Sequence, residues 1–143
     1  MNWYEVKVSY DKTADNGMLA KVKESYLIEG VSYTDAEART VEKLKPFISG
    51  EEMEIESIVK KKFSEVVLDG AGEKYYKAKI NMVTLDEKSG TEKKQAVVLL
   101  IEANDFDIAY KRVNEAIKEC VSDCEVVMIQ ETAIIDVFKD ERA

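Results

Sequence analysis

No histidine occurs among the 143 residues. Its absence removes the usual general base, the usual proton shuttle and the commonest zinc ligand, so Ser-His-Asp and Cys-His catalysis are unavailable. Cysteine is nearly as scarce. Cys120 and Cys124 are the two present; they cannot build a disulfide framework, and a structural zinc site wants four ligands where no third or fourth is suggested. The plain reading is a pair of reduced, partly buried thiols. Long apolar runs are missing too. The longest, AVVLLI at 96–101, falls far short of the roughly 20 residues a membrane span needs. The start, MNWYEVKV, alternates apolar and charged residues where a signal peptide would carry an unbroken apolar stretch. A cytoplasmic protein with no membrane contact is therefore expected.

Recognisable cofactor motifs are also absent. There is no P-loop pattern, and DGAGE at 69–73 lacks the glycine spacing and following helix of a dinucleotide site. DKTADNG at 11–17 places Asp11 and Asp15 near a turn but has neither the ligand spacing nor the closing Glu of a calcium loop; it reads as hairpin chemistry. No cofactor and no metal are expected. The net charge of −8 repels polyanions, which argues against nucleic acid as the default partner, because such binding draws on phosphate neutralisation.

What is present is a repetition. LIEGVSYTDAEARTVEKL at 27–44 and LIEANDFDIAYKRVNEAI at 100–117 share six identities at an offset of 73, among them Glu29/Glu102 and Arg39/Arg112. Around this phrase the same order of patterns runs twice. Tyr4, Val6, Val8 and Tyr10 alternate with polar residues, as Tyr76, Ala78, Ile80 and Met82 do 72 residues later; period two marks a half-buried strand. Asn16-Gly17 and Ser89-Gly90 are hairpin turns. Second strands follow over 19–29 and 94–102. The spacing then turns helical, with Thr34/Glu37 or Ser32/Asp35 as a capping box and Pro46 and Ser49-Gly50 as stops. The second helix is expected from Asp105 or Asp107 to Cys120. Third strands are expected over 53–67, long enough for a bulge or bend, and over 125–138.

The predicted fold is therefore α+β: tandem duplicated ββαβ units with six mostly antiparallel strands and two helices. Residues 1–68 form the first repeat, 69–73 the connector and 74–143 the second, all in one domain. A unit of about 70 residues can barely bury its own apolar face, so the copies are expected to share a core. One sheet carrying both helices on one face is favoured over two apposed three-stranded sheets. The copies differ most in their second strands, amphipathic AKVKESYLI against nearly continuous apolar KKQAVVLLI. The latter is expected at the centre of a sheet or in an oligomer interface.

Candidate ligand contacts are basic and aromatic. Lys60 and Lys62 within a lysine run, Lys94, and Arg39 and Arg112 on the two helices are of the type that binds phosphate. Against this, charge runs on strands usually guard an edge, and residues kept by both copies suit a scaffold. Tyr4 and Tyr76 fit the core; Trp3 and Tyr75, on the opposite face among charges, are the candidates for stacking or for contact with another chain. Glu29 and Glu102 recur where strand meets helix and suit the helix dipole better than metal-assisted hydrolysis.

WYEVKV at 3–8, YLIEG with YTDAEAR at 26–39, PFISGE at 46–51, TLDEKSGTEKK at 84–94 and ETAIIDVF at 131–138 together resemble a family of small domains of unknown function from bacteroidete bacteria and their phages. The resemblance implies mobile elements and phage-like gene clusters as the habitat, and supplies no catalytic or binding residues. Three functions stay open. The first is a non-enzymatic, homo-oligomeric binding protein that sequesters an anionic nucleotide-like signal between protomers. The second is an acidic protein-interaction module that inhibits or adapts a host protein. The third is a single-stranded nucleic-acid accessory protein, which the net charge disfavours.

Overall fold

A computed structural model describes residues 1–48, 52–70, 72–120 and 123–141. The first hairpin pairs β1 (Asn2–Thr13) with β2 (Leu19–Gly30), antiparallel from Asn2/Gly30 to Thr13/Leu19. Gly17 closes it at φ 81°, a left-handed conformation that costs glycine little. Helix α1 (Tyr33–Leu44) follows, then β3 (Glu54–Lys61) and a short β4 (Glu65–Val67). The order repeats as β5 (Lys74–Asp86), β6 (Thr91–Ala103), α2 (Phe106–Lys118), β7 (Asp123–Glu131) and β8 (Ile134–Phe138), with Gly90 at φ 69° in the second hairpin.

Both helices begin where a short polar side chain can take a free backbone N–H. Ser32 Oγ accepts from Asp35 N at 3.1 Å, and Asp105 Oδ1 accepts from Ile108 N at 2.9 Å. The Thr34 alternative is not used as the cap. Pro46 follows the end of α1, where Ile48 N donates to Leu44 O at 2.8 Å. That turn buries Ile48 and leaves Phe47 79% exposed. Ser49-Gly50 lie outside the described residues.

The strand count departs from expectation: among the described residues there are eight strands in two four-stranded sheets, where the sequence favours six in one sheet and leaves two three-stranded sheets as the alternative. Each long third strand breaks, at 62–64 and at 132–133, and its last piece joins a different sheet from its first. The sheet orders are β3-β1-β2-β8 and β4-β6-β5-β7. Pairing is antiparallel except at the late pieces, where β8 runs parallel to β2 and β4 parallel to β6. The chain accordingly falls into two compact units, residues 1–62 with 133–143 and residues 63–132. These boundaries cross the sequence repeats, because each unit takes its fourth strand from the other repeat.

Within the first unit, Tyr4, Val6, Val8, Tyr26 and Ile28 pack with Ala36, Leu44 and Ile48. The second builds its core from Ala78, Ile80, Leu99, Ile101 and Val113, with Tyr76, Ala103 and Ala109 adjoining one another. Each fully buried Val, Leu or Ile contributes about 1.5–3 kcal/mol. Even the irregularities repeat: the β1/β3 register shifts between Lys7 and Val8, and the β5/β7 register between Lys79 and Ile80. β6 is central over Leu99–Ile101, but so is β2 in its own sheet. Central position therefore does not explain why β6 alone is so apolar. Among the described residues no helix is long and apolar enough to cross a membrane.

Candidate functional site

The residues that both repeats keep grip the incoming fourth strand. In the first unit β8 ends two residues before Asp140, whose N–H donates to Glu29 Oε1 at 2.9 Å. Arg39 reaches from α1 to the same segment. Its Nη2 donates to Lys139 O at 2.9 Å, and Nη1 lies 3.5 Å from Asp140 Oδ1. The second unit makes the corresponding clasp on the residues after β4. Gly70 N donates to Glu102 Oε2 at 3.0 Å, while Arg112 pairs with the Asp69 carboxylate and donates to Glu102 O. A parallel strand added at a sheet edge leaves polar backbone beyond its end, and these groups satisfy it. The segment expected as a mere connector is thus tied down in the second unit, where Glu73 N also donates to Asn104 Oδ1 at 3.0 Å.

The clasps change the reading of the predicted ligand contacts. Arg39 is buried against Asp140, and Arg112 is engaged by Asp69 and a carbonyl. Neither is the free phosphate-binding cation expected from the sequence. Tyr75 is only 6% exposed, so its ring is not the open stacking surface expected from its place among charges. Lys94 is paired with Glu125 at 3.7 Å. It also stands eight residues along β6 from Glu102, about 26 Å at the usual strand rise, so Lys94 and Arg112 do not converge. In the first unit Trp3 is half-buried, opposite Lys61 across the β1/β3 pair. Lys60 lies opposite Tyr4, and exposed Lys62 follows the strand end. These three do share one end of a sheet.

A different set of residues forms the more distinctive site. Beside the C-terminal end of α1 lies a cleft of about 270 Å³ lined chiefly by Tyr10, Glu24, Tyr26, Phe47, Asp136 and Phe138. Tyr10 and Glu24 come from the paired arms of the hairpin, Phe47 from the turn after α1, and Asp136 and Phe138 from β8. The Tyr10 hydroxyl donates to Glu24 Oε1, and the Tyr26 hydroxyl reaches Glu24 Oε2 at 3.5 Å. Tyr26 stacks on Phe138 with ring centroids 6.0 Å apart. The hydrogen bond to Glu24, then burial and the Glu24 charge, push the Tyr10 phenol up to about 12. Burial first, then the same carboxylate, raises Tyr26 as well. Neither tyrosine is a general base near neutral pH. An adjoining hollow of about 330 Å³ shares Tyr10 and Phe47 and adds Asp11, Lys12 and Glu52.

The second unit has a cleft in the corresponding place, of about 100 Å³, between Met82, Val97, Leu99, Ile117, Cys120 and Cys124 with Glu65 at one side. By the repeat offsets of 71 to 73, Met82 stands for Tyr10, Val97 for Glu24, Leu99 for Tyr26 and Cys120 for Phe47. The second unit thus keeps a smaller, mainly apolar cleft here, with Glu65 standing for Asp136 at an offset of 71, and the Tyr–Glu–Tyr cluster is a property of the first unit alone. The hydrogen bond with Cys120, then burial, raises the Cys124 thiol to about 11, which disfavours the reactive thiolate. Among the described residues no group of three or more Cys, Asp or Glu side chains is placed to hold a metal ion.

The sequence carried a signal for this cleft: superposing AKVKESYLI on KKQAVVLLI sets Glu24 over Val97 and Tyr26 over Leu99. It is missed when polar residues on an amphipathic strand are assigned to a solvated face. Comparison with curated proteins yields no match. Comparison with solved structures yields none either. A family model does match, over residues 2–140. The chain belongs to the family described as Domain of unknown function (DUF4494).

Proposed function

We propose that this chain is a non-enzymatic, cytoplasmic binding protein of phage or mobile-element type that engages a host protein as inhibitor or adaptor, through the cleft of its first unit. The observation that carries the reading is the lining of that cleft, Glu24 and Asp136 among Tyr10, Tyr26, Phe47 and Phe138, with no lysine or arginine among the described residues. Aromatic groups with a polar end are the side chains most enriched at protein interfaces. An exposed Phe47 beside an acidic hollow is suited to anchor a partner. The test is affinity recovery from host lysate with the full chain and with Phe47→Ala and Glu24→Gln. Recovery of one stoichiometric host protein, weakened by salt and by either substitution, supports the reading. Equal recovery by all three proteins, or none by the wild type, opposes it.

A second reading, an oligomeric sponge for an anionic nucleotide-like signal, draws support from Trp3 and Lys61 facing each other at the strand end that Lys60 and Lys62 flank. Its test is calorimetry of the full chain across cyclic and ADP-ribose-type nucleotides. Micromolar binding lost on Trp3→Ala supports it, and a flat response across the panel removes it.

A further inference from the structure

We infer that the outer edge of β3 is a pairing surface for a second copy of this chain, the two β3 strands meeting antiparallel about a twofold axis near Ile58. The inference stands apart from the cleft reading above, since β3 contributes no residue to the lining of that cleft.

The edge itself is the first support. In the sheet order β3-β1-β2-β8 one side of β3 is taken by β1, and among the described residues no strand pairs with the other side. The strand contains neither proline nor glycine, and Val59 near its middle is 47% exposed. Its outward row of backbone donors and acceptors is a template for one more strand.

Charge decides which strand that is. An edge is usually guarded by charge of one sign, which repels a second copy of the same edge. β3 instead has two halves of opposite sign, Glu54 and Glu56 before Ile58, Lys60 and Lys61 after it, with exposed Lys62 next in the chain. Parallel pairing of two such strands sets like beside like, whereas antiparallel pairing about Ile58 lays the acidic half of each copy along the basic half of the other. The edge is thus complementary to itself, as a twofold interface requires. Part of this charge is engaged within the chain: Lys61 lies 3.8 Å from Glu5, both partly exposed, and Glu56 accepts from the Ser9 hydroxyl at 2.6 Å. Glu54, Lys60 and Lys62 are exposed and form no ion pair among the described residues.

The duplication supplies a comparison. By the offset of 71, β7 is the counterpart of β3, and it is likewise the outer strand of its sheet. It carries Glu125 in place of Glu54, but Glu131, Thr132 and Ala133 stand where β3 and its end have the three lysines. Two β7 strands meeting antiparallel would set acid against acid, and Glu125 and Glu131 already pair with Lys94 and Lys74. The fold therefore does not impose a self-complementary edge; of these two counterparts only β3 has one.

The experiment is sedimentation velocity of the full chain over a wide concentration range, at low and at high salt. One variant, Lys60→Glu with Lys62→Glu, makes the edge acidic throughout; another, Glu54→Lys with Glu56→Lys, makes it basic throughout, and the folding of both is checked by circular dichroism. The expected result is a wild-type dimer weakened by salt, with dissociation about tenfold or more easier for either variant alone, because each substitution acts twice across the axis. Mixing the two variants in equal amounts should restore dimer toward the wild-type level, as a pair of one acidic and one basic copy. A wild type that stays monomeric throughout, an acidic variant that self-associates as well as wild type, or a mixture that associates no better than its separate components overturns the inference. Should the basic variant fail to fold, the acidic variant alone decides, since undiminished self-association in it places the interface elsewhere.

Discussion

Replacing Arg39 by alanine removes a buried cation that holds the segment after β8 in the first unit. The side chains of Arg39 and Asp140 are 8% and 0% exposed, so the substitution takes a charge partner from a buried carboxylate rather than merely deleting a surface contact. Breaking a buried pair in this way costs about 3–5 kcal/mol. The 3.5 Å separation and the buried Arg39 Nε, which has no hydrogen-bond partner among the described residues, place the loss at the lower end, about 3 kcal/mol. Arg112→Ala is milder. There the ion pair is 28% and 27% exposed, so water can take over much of its work and the loss is about 1–2 kcal/mol. Urea unfolding followed by the fluorescence of Trp3, the only tryptophan, reports the first unit. With a slope of about 2 kcal/mol per molar urea, Arg39→Ala lowers the midpoint by about 1.5 M. The decisive companion is the double substitution Arg39→Met with Asp140→Leu. Replacing both charges by apolar groups returns stability to within about 1 kcal/mol of wild type, because the desolvation cost disappears with the charges. An Arg39→Ala protein within 1 kcal/mol of wild type, or an apolar pair as damaging as the single change, would refute this account of the clasp.

Other perturbations address the cleft and the backbone. The hydrogen-bonded Tyr10 stays protonated above the ordinary phenol value, so its contribution to stability is fully present below pH 10 and is lost as the pH rises from 10 through about 12. Phenolate absorbance should show Tyr10 ionising late in the wild type and shifted back toward 10 in Glu24→Gln. Gly72→Ala places a Cβ 2.8 Å from the Ala103 backbone nitrogen, and about 1–3 kcal/mol of stability should be lost in a denaturant melt. Gly30→Ala meets the movable Asp35 carboxylate at 2.9 Å and should cost less. Ser32→Ala and Asp105→Ala each remove a helix cap and should each cost about 1 kcal/mol, read by the same melts.

The hairpins, both helices and the duplication were legible because each rests on local chemistry: alternation, Asn-Gly and Ser-Gly turns, and caps. The break in each third strand was not. Neither Lys62-Phe63-Ser64 nor Thr132-Ala133 contains the glycine or proline that usually marks an interruption. What divides the strand is a pairing made far away in sequence, Val66 with Leu100 and Val137 with Leu27. The site was half legible for a related reason. Shared Glu29/Glu102 and Arg39/Arg112 pointed to scaffold, and they do hold the chain together, which takes both arginines out of the phosphate-binding set. Alternation separated Tyr75 from Tyr76 by face but carried no information on whether the second face is open, and Tyr75 is buried. The cleft needed the two copies to be read against each other, since Glu24 alone is an ordinary strand carboxylate and only the apolar Val97 in its place marks it as unusual.

The exchanged fourth strands also impose an order on synthesis. The second unit is continuous in the chain, with all of its strands between residues 63 and 132, and can be completed as soon as those residues have left the ribosome. The first unit starts earlier and finishes last. Its β3 ends at Lys61, but its closing strand begins at Ile134, and at about 5–20 residues per second the intervening stretch takes roughly 4–15 s to make. For that interval the edge of β2 over Ser25–Ile28 waits without its partner, an open template for any passing strand. The N-terminal part of this small protein is therefore the one most exposed to misassembly while it is being born, and the first place where a chaperone would find something to hold.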